Sequence, residues 1–312
     1  MKAIRTITIN PSFDLHYTVP DFEAGKENLV TAIEVEASGK GVNTSRALHV
    51  CGVENLAYVI IGDENGAAFV FQMERDGVPC RYFQIAGRIR ENITVHPDKG
   101  KETRISLNTF RVPEPALAEL EAAILAEDLP ETLVTFSGRI PKGLEKARVA
   151  GMLRKLIAGG AKLVVDSASF TPDDLRDLHP WFIKPNEQEI VSFLGRTPKT
   201  ADEAAADARE LVRAGVSETA MISLGGNGAA WSDGRETYVL RVPRLEDPVS
   251  TIGAGDSTIA GLLAGTAQGL PTADALRLAV AYGTAACMTP GTLPPRPEDV
   301  RSVWAKTKAE RV

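Results

Sequence analysis

Between Leu56 and Ser223 the chain alternates short apolar runs with longer amphipathic segments, and few folds accept that pattern. The apolar runs are Leu56–Ile61, Leu133–Phe136, Lys162–Val165, Trp181–Ile183 and Thr219–Ser223. Each is too short for a stable helix, and most lack the alternation of a strand with one wet face. Helical spacing marks residues 42–50, 67–75, 114–126, 145–158, 187–194 and 201–214. Strands covered on both faces, with helices between them, predict a mostly parallel sheet between two helical layers. Residues 3–9 supply a first strand, and residues 256–267, 273–288 and 297–308 supply further helices.

Three stretches break the pattern. Residues 28–37, 92–96 and 103–109 alternate polar and apolar side chains cleanly, as a strand with one exposed face does. They fit a second, small β-sheet laid over the main body as a lid, inserted at about 12–36 and 88–110. No linker or repeat splits the 312 residues, so one domain is expected. The exposed faces of the lid strands offer a surface for a homodimer.

Charge narrows the function. Forty-one acidic against 35 basic side chains leave a net charge of -6, with both signs interspersed. Clustered positive charge, which non-specific nucleic-acid binding needs, is absent. No apolar run approaches the ~20 residues of a membrane span. The opening residues lack the layout of a signal peptide, so a cytoplasmic protein without membrane partners is expected. Cys51, Cys80 and Cys287 are odd in number and widely spaced, which suggests neither a disulfide framework nor a zinc site.

Three glycine clusters could handle phosphate: residues 38–43, 223–228 and 251–256. None is a P-loop, because Lys40 is followed by Gly41 where Ser or Thr is required. None is a dinucleotide fingerprint, since the first strand runs into Asn10-Pro11-Ser12-Phe13. The third cluster says most. Gly253-Ala254-Gly255 would leave backbone amides free at the positive end of a helix, and Asp256 stands in the same turn. An anion-binding turn beside a carboxylate that can take a proton is what phosphoryl transfer to a hydroxyl requires.

Gly253-Ala254-Gly255-Asp256 resembles the signature of the phosphofructokinase-B, or ribokinase-like, carbohydrate kinases. Other segments follow in that family's order: Asn10-Pro11-Ser12-Phe13-Asp14, Gly39-Lys40-Gly41-Val42-Asn43, Lys184-Pro185-Asn186-Glu187-Gln188-Glu189, Ser223 to Gly228, and Ala285 to Thr292. The resemblance implies a three-layer αβα sandwich with a β-sheet lid, and ATP and Mg2+ as cofactors. It is nearest to the branch acting on sugars that already carry a phosphate, through Ser137-Gly138-Arg139-Ile140-Pro141, Arg90-Glu91-Asn92 and Met288 to Thr292.

The resemblance implies these roles. Asp256 is the base, and the amides of Gly253, Ala254 and Gly255 form the anion hole. Asp14, Gly39 and Asn43 meet the sugar, Lys40, Arg90, Ser137 and Gly138 flank its phosphate, and Asn92 belongs to the same substrate site. Lys184, Asn186, Ser223, Gly225, Gly226 and Gly228 serve the nucleotide, and Asn186 with Glu189 orders magnesium through water. Fructose 1-phosphate is the implied acceptor, with tagatose 6-phosphate or fructose 6-phosphate next and an unphosphorylated sugar or a nucleoside further off. A non-catalytic sugar-phosphate sensor on the same scaffold is the reading from another class. Two departures bear on the substrate: Arg139 replaces a small residue, and Leu29 follows Asn28 where an arginine is common in this branch.

Overall fold

The computed structural model describes residues 2–312. Strands β1 (Ile4–Thr8), β4 (Leu56–Gly62), β5 (Cys80–Ile85), β8 (Leu133–Ser137), β9 (Lys162–Asp166), β10 (Phe182–Ile183) and β11 (Thr219–Ser223) are mutually parallel. Three antiparallel strands, β12 (Ala229–Ser232), β13 (Thr237–Arg241) and β14 (Lys308–Arg311), extend one edge to ten strands. The order is β14-β13-β12-β11-β10-β9-β8-β1-β4-β5.

Because the parallel strands are apolar on both sides, helices cover both faces. On one face lie α1 (Lys40–Val50), α8 (Ala254–Ala267), α9 (Thr272–Ala286) and α10 (Pro297–Lys306), packed through Leu48, Ile259, Leu263 and Leu276 onto Ile4, Leu133 and Val164. On the other lie α2 (Gly66–Arg75), α3 (Glu114–Leu125), α4 (Lys146–Ala158), α5 (Pro172–Leu178), the short α6 (Val191–Leu194) and α7 (Ala201–Arg213). Phe69, Leu117, Leu153 and Leu175 there meet Ile7, Val134, Phe136 and Leu163. The result is an αβα sandwich. The chain builds β1, β4 and β5 outward and then returns to place β8 on the far side of β1. That reversal opens a crevice at the carboxyl ends of the strands, the general place for ligands in such sheets.

A second sheet contains β2 (Ser12–Thr18), β3 (Ala32–Ser38), β6 (Arg90–His96) and β7 (Thr103–Ser106), in the order β3-β2-β6-β7. Its registers set Asp14 opposite both Glu36 and Asn92, and Asn92 opposite Ser106. One face therefore carries Asp14, Glu36, Asn92 and Arg104, and the other carries Ile33, Val35 and Ile105. The apolar face is the exposed one: Ile33 is 58%, Val35 43% and Ile105 50% accessible. The polar face points to the crevice.

Several elements differ from expectation. Residues 28–31 are not strand, and β2 lies inside the span expected for the lid, where the alternation named no strand. The helix expected over 187–194 is confined to Val191–Leu194. Asn186 and Glu189 bond each other's backbone, with Glu189 N to Asn186 Oδ1 at 2.8 Å and Asn186 N to Glu189 Oε2 at 3.0 Å, and this closes a turn first. The last helix stops at Lys306, and the residues after it form the edge strand β14.

Candidate active site

Two cavities meet at the amino end of α8. One, of about 570 Å³, lies under the small sheet and is lined by Asn10, Ser12, Asp14, Gly39, Lys40, Asn43, Arg90, Asn92, Arg104, Ser106, Asn108, Arg139, Asp166, Gly253, Gly255, Asp256 and Thr292. The other, of about 690 Å³, is lined by Ser223, Gly225, Gly226, Asn227, Gly228, Arg244, Ala254, Thr258 and Cys287. Lys184 and Asn186 line both. Both volumes suit a small-molecule ligand.

At the junction Gly253 takes φ 78°, a backbone state that favours glycine, and lets the chain turn sharply into α8. The first amides of any helix lack an intrahelical acceptor, and here Ala254 N makes only a 3.5 Å contact with Thr251 O. Asp256 follows, 6% exposed, with its Oδ2 accepting a 2.9 Å bond from Asn43 Nδ2. Lys184 Nζ would lie 3.1 Å from a Cβ built on Gly255, so its charge stands directly against the turn.

The charges here are strongly coupled. Burial pushes the Asp256 carboxyl up to about 6; Lys40, the Asn43 bond and Lys184 pull it down, and Asp166 pushes it further up. Lys40 Nζ sits 2.9 Å from Asp166 Oδ2. Burial would lower the Lys40 ammonium, but Asp166, Asp256 and Glu189 outweigh it and raise it. Burial would raise Asp166, and Lys40 and Lys184 hold it below the usual carboxylate range instead. A step that uses Asp256 as base needs the ionised form. The pH profile of kcat/KM should therefore have an acidic limb near pH 6, falling about tenfold per unit below it. A limb near pH 4 would show that Asp256 behaves as an ordinary exposed acid.

Opposite Asp256, the cleft is cationic. Arg90 Nε donates to Asn10 Oδ1 at 3.0 Å and one terminal nitrogen donates to Asn92 Oδ1 at 3.0 Å. Asn92 Nδ2 donates in turn to Asp14 Oδ1 at 2.7 Å. Burial lowers the Arg90 guanidinium; Asp14 opposes that shift, and Arg104 and Arg139 add to it. Arg104 lies 3.8 Å from Asp14, and the Arg139 side chain has no partner among the described residues.

The expected residues thus gather in one place, with exceptions. Ser137 and Gly138 do not line the cleft. Ser137 Oγ is shared with Thr135 Oγ1 at 2.9 Å, and Gly138 N donates to Asp166 O. Their turn instead brings Arg139 into the cleft. Arg88, two residues before Arg90, pairs with Glu91 on the outside. Lys184, expected on the second cavity, lines both and so stands at the junction. Asp166, Asn10, Asn108 and Thr292 were not among the expected site residues. Asp166 did leave a trace in the sequence, as an acid closing an apolar strand at its carboxyl end, where ligands bind.

An anion-binding helix turn, a buried carboxylate beside it, and two cavities meeting there define a phosphotransferase. The match to known proteins is specific. Residues 8–299 match the model of the pfkB family carbohydrate kinases, and the chain belongs to that family. It is 32% identical to a 1-phosphofructokinase of Rhodobacter capsulatus, over 97% of this chain and 98% of that one. It is 31% identical to a 1-phosphofructokinase of Vibrio cholerae, over 91% and 89%. Phosphofructokinase-2 from Escherichia coli, solved in complex with substrates and products, superposes with a TM-score of 0.90 at 24% identity, covering 97% of this chain and 99% of that one.

Proposed function

We propose that the chain transfers the γ-phosphoryl group of ATP to the free primary hydroxyl of D-fructose 1-phosphate, giving fructose 1,6-bisphosphate and ADP. The observation that carries this reading is the cluster of Arg90, Arg104 and Arg139 across the cleft from Asp256. A guanidinium fork suits a resident phosphate, and Arg139, without a partner among the described residues, has no other visible use in the cleft. The names of the two bacterial relatives support the same acceptor. ADP release measured on fructose 1-phosphate, fructose 6-phosphate, tagatose 6-phosphate and free fructose tests it. Highest kcat/KM on fructose 1-phosphate is expected; activity confined to free sugar would overturn it.

In this reading the acceptor lies under the small sheet, with its phosphate on the arginines and its hydroxyls on Asp14 and Asn43. Asp256 takes the hydroxyl proton as the oxygen bonds to the γ-phosphorus, and the bond to the ADP oxygen breaks. The amides of Gly253, Ala254 and Gly255, with the Lys184 ammonium, hold the transferring group. Lys40, kept charged by Asp166, adds positive potential beside it. The nucleotide occupies the second cavity, against Asn186, Ser223, Gly225, Gly226 and Gly228. Of Asn186 and Glu189, the pair expected at magnesium, Glu189 offers the hard oxygen donor that suits an ion held through water, and Asn186, whose Oδ1 accepts the amides of Gln188 and Glu189, holds the turn that presents it. Such an ion supplies neutralisation of the transferred charge. A sensor without catalysis is disfavoured by Asp256 standing in an intact anion turn.

We read the whole chain as one kinase domain with the small sheet as its lid. Among the described residues no helix is long and apolar enough to cross a membrane. Three unpaired thiols agree with a reducing, cytoplasmic setting. The apolar outer face of the lid, with Ile33, Val35 and Ile105 exposed, fits a second copy of the chain. Replacing Ile33 and Val35 together with Glu should convert a dimer to a monomer in sedimentation. An unchanged sedimentation coefficient would place the contact elsewhere.

A further inference from the structure

Glu36 lies on β3 directly opposite Asp14 and is only 7% exposed. Its Oε2 accepts two hydrogen bonds from one distant residue, Thr292: Oγ1 at 2.5 Å and the backbone amide at 3.2 Å. The neighbouring Gly291 comes as close as a residue can. A Cβ there would lie 3.2 Å from Glu36 Oε1 and 3.1 Å from His16 Nε2, a buried nitrogen without a partner. The loop at 291–292 is therefore pressed onto the small sheet.

The same loop supports the anion turn from behind. The Thr292 Cα lies 3.7 Å from the Cβ position of Gly253. Gly291 O accepts a 3.2 Å bond from Ser250 Oγ, which itself accepts the amide of Ile252 at 3.2 Å. A continuous path thus runs from the lid carboxylate, through Thr292 and Gly291, to the segment 250–253 that sets the amides of α8.

We infer that Glu36 is a positioning residue: through Thr292 and Gly291 it fixes the anion turn, so that phosphoryl transfer depends on the lid being seated on the body. This rests on the reading of residues 253–256 as the transfer site, and it does not depend on which sugar is phosphorylated. Glu36 is well placed for such a task. It shares its sheet with Asp14, so the strands that would feel the sugar also hold the turn. A carboxylate makes charge-assisted bonds about twice as strong as a neutral acceptor does. Small displacements of a preorganised turn are costly, about a hundredfold in rate for ~1 Å.

Glu36→Gln keeps shape and one acceptor but loses the charge. It should lower kcat about tenfold, with the KM for ATP changing less than about twofold. Thr292→Val should match it, and Thr292→Ser, which keeps the hydroxyl, should recover most of the loss. Because both residues act through one link, the double variant Glu36→Gln with Thr292→Val should be no slower than the slower single variant. In parallel, hydrogen exchange without substrates should show faster exchange at residues 252–256 in Glu36→Gln. That readout holds even where no acceptor is turned over, so it separates this inference from the substrate assignment. Parental kcat with a lowered melting temperature, multiplicative losses in the double variant, or unchanged exchange at 252–256 would each overturn the inference.

Discussion

Asp256→Asn should leave a well-folded protein that binds both substrates and turns them over at least ~10²–10⁴-fold more slowly, the usual range for loss of a general base. The substitution is nearly isosteric, and the asparagine oxygen can still accept from Asn43 Nδ2, now 2.9 Å from the carboxylate. The anion turn needs no side chain from position 256, so KM values should stay within a few fold. Near-parental turnover would show that the hydroxyl loses its proton to another group.

The same variant should be more stable than the parent at alkaline pH. Burial raises the Asp256 pKa from 3.8 to about 6, so the ionised form is disfavoured on folding. The stability linked to this group is fully present below the unfolded value and is lost as pH rises through about 6. At pH 8 the ionised carboxylate therefore costs stability of order 1–3 kcal/mol, which asparagine removes. Melting temperatures of the two proteins should coincide near pH 4, diverge as pH rises to about 6, and keep a constant gap above that. A turn that performs the reaction at the expense of stability is the expected character of such a site.

How much of this was legible in the sequence depends on how far apart the cause and its partner lie. Runs such as Leu133–Phe136 are buried on both faces for a local reason, and they were readable. The glycines and Asp256 were readable because an anion turn is encoded within four residues. Segment 12–18 was not read as a strand, since both its faces are engaged: Ser12 and Asp14 turn into the cleft while Phe13 is buried against Phe69. The strands at 229–232 and 308–311 are short, and the second is almost wholly polar. Asp166 shows only its place at the end of an apolar strand, and Glu36 looks like an ordinary isolated acid. Their meaning comes from Lys40 and Thr292, 126 and 256 residues away, which only the fold brings near. Ser137 misled for a related reason: a matching motif fixes the turn, while the side chain that enters the cleft is the departing one, Arg139.

That exchange changes how the phosphate pocket should be tested. If Arg90 holds the resident phosphate, Arg90→Ala should cost substrates that carry one about 1.5–3 kcal/mol, or roughly ten- to a hundredfold in kcat/KM, and cost free sugar little. Arg88 cannot take its place, because it is turned outward onto Glu91. Arg139 can: it is unpaired among the described residues, lines the same cleft and is near enough to depress Arg90. The single variant should therefore fall at the low end of the range, and Arg90→Ala with Arg139→Ala should lose more than either change alone. Lysine at position 90 should rescue poorly, since it cannot bond Asn10 and Asn92 together as the planar guanidinium does. Those two bonds also supply the competing outcome. Through Asn92 they orient Asp14, so an equal loss on phosphorylated and free sugar would assign Arg90 to the Asn10–Asn92–Asp14 network and leave the phosphate to Arg104 and Arg139.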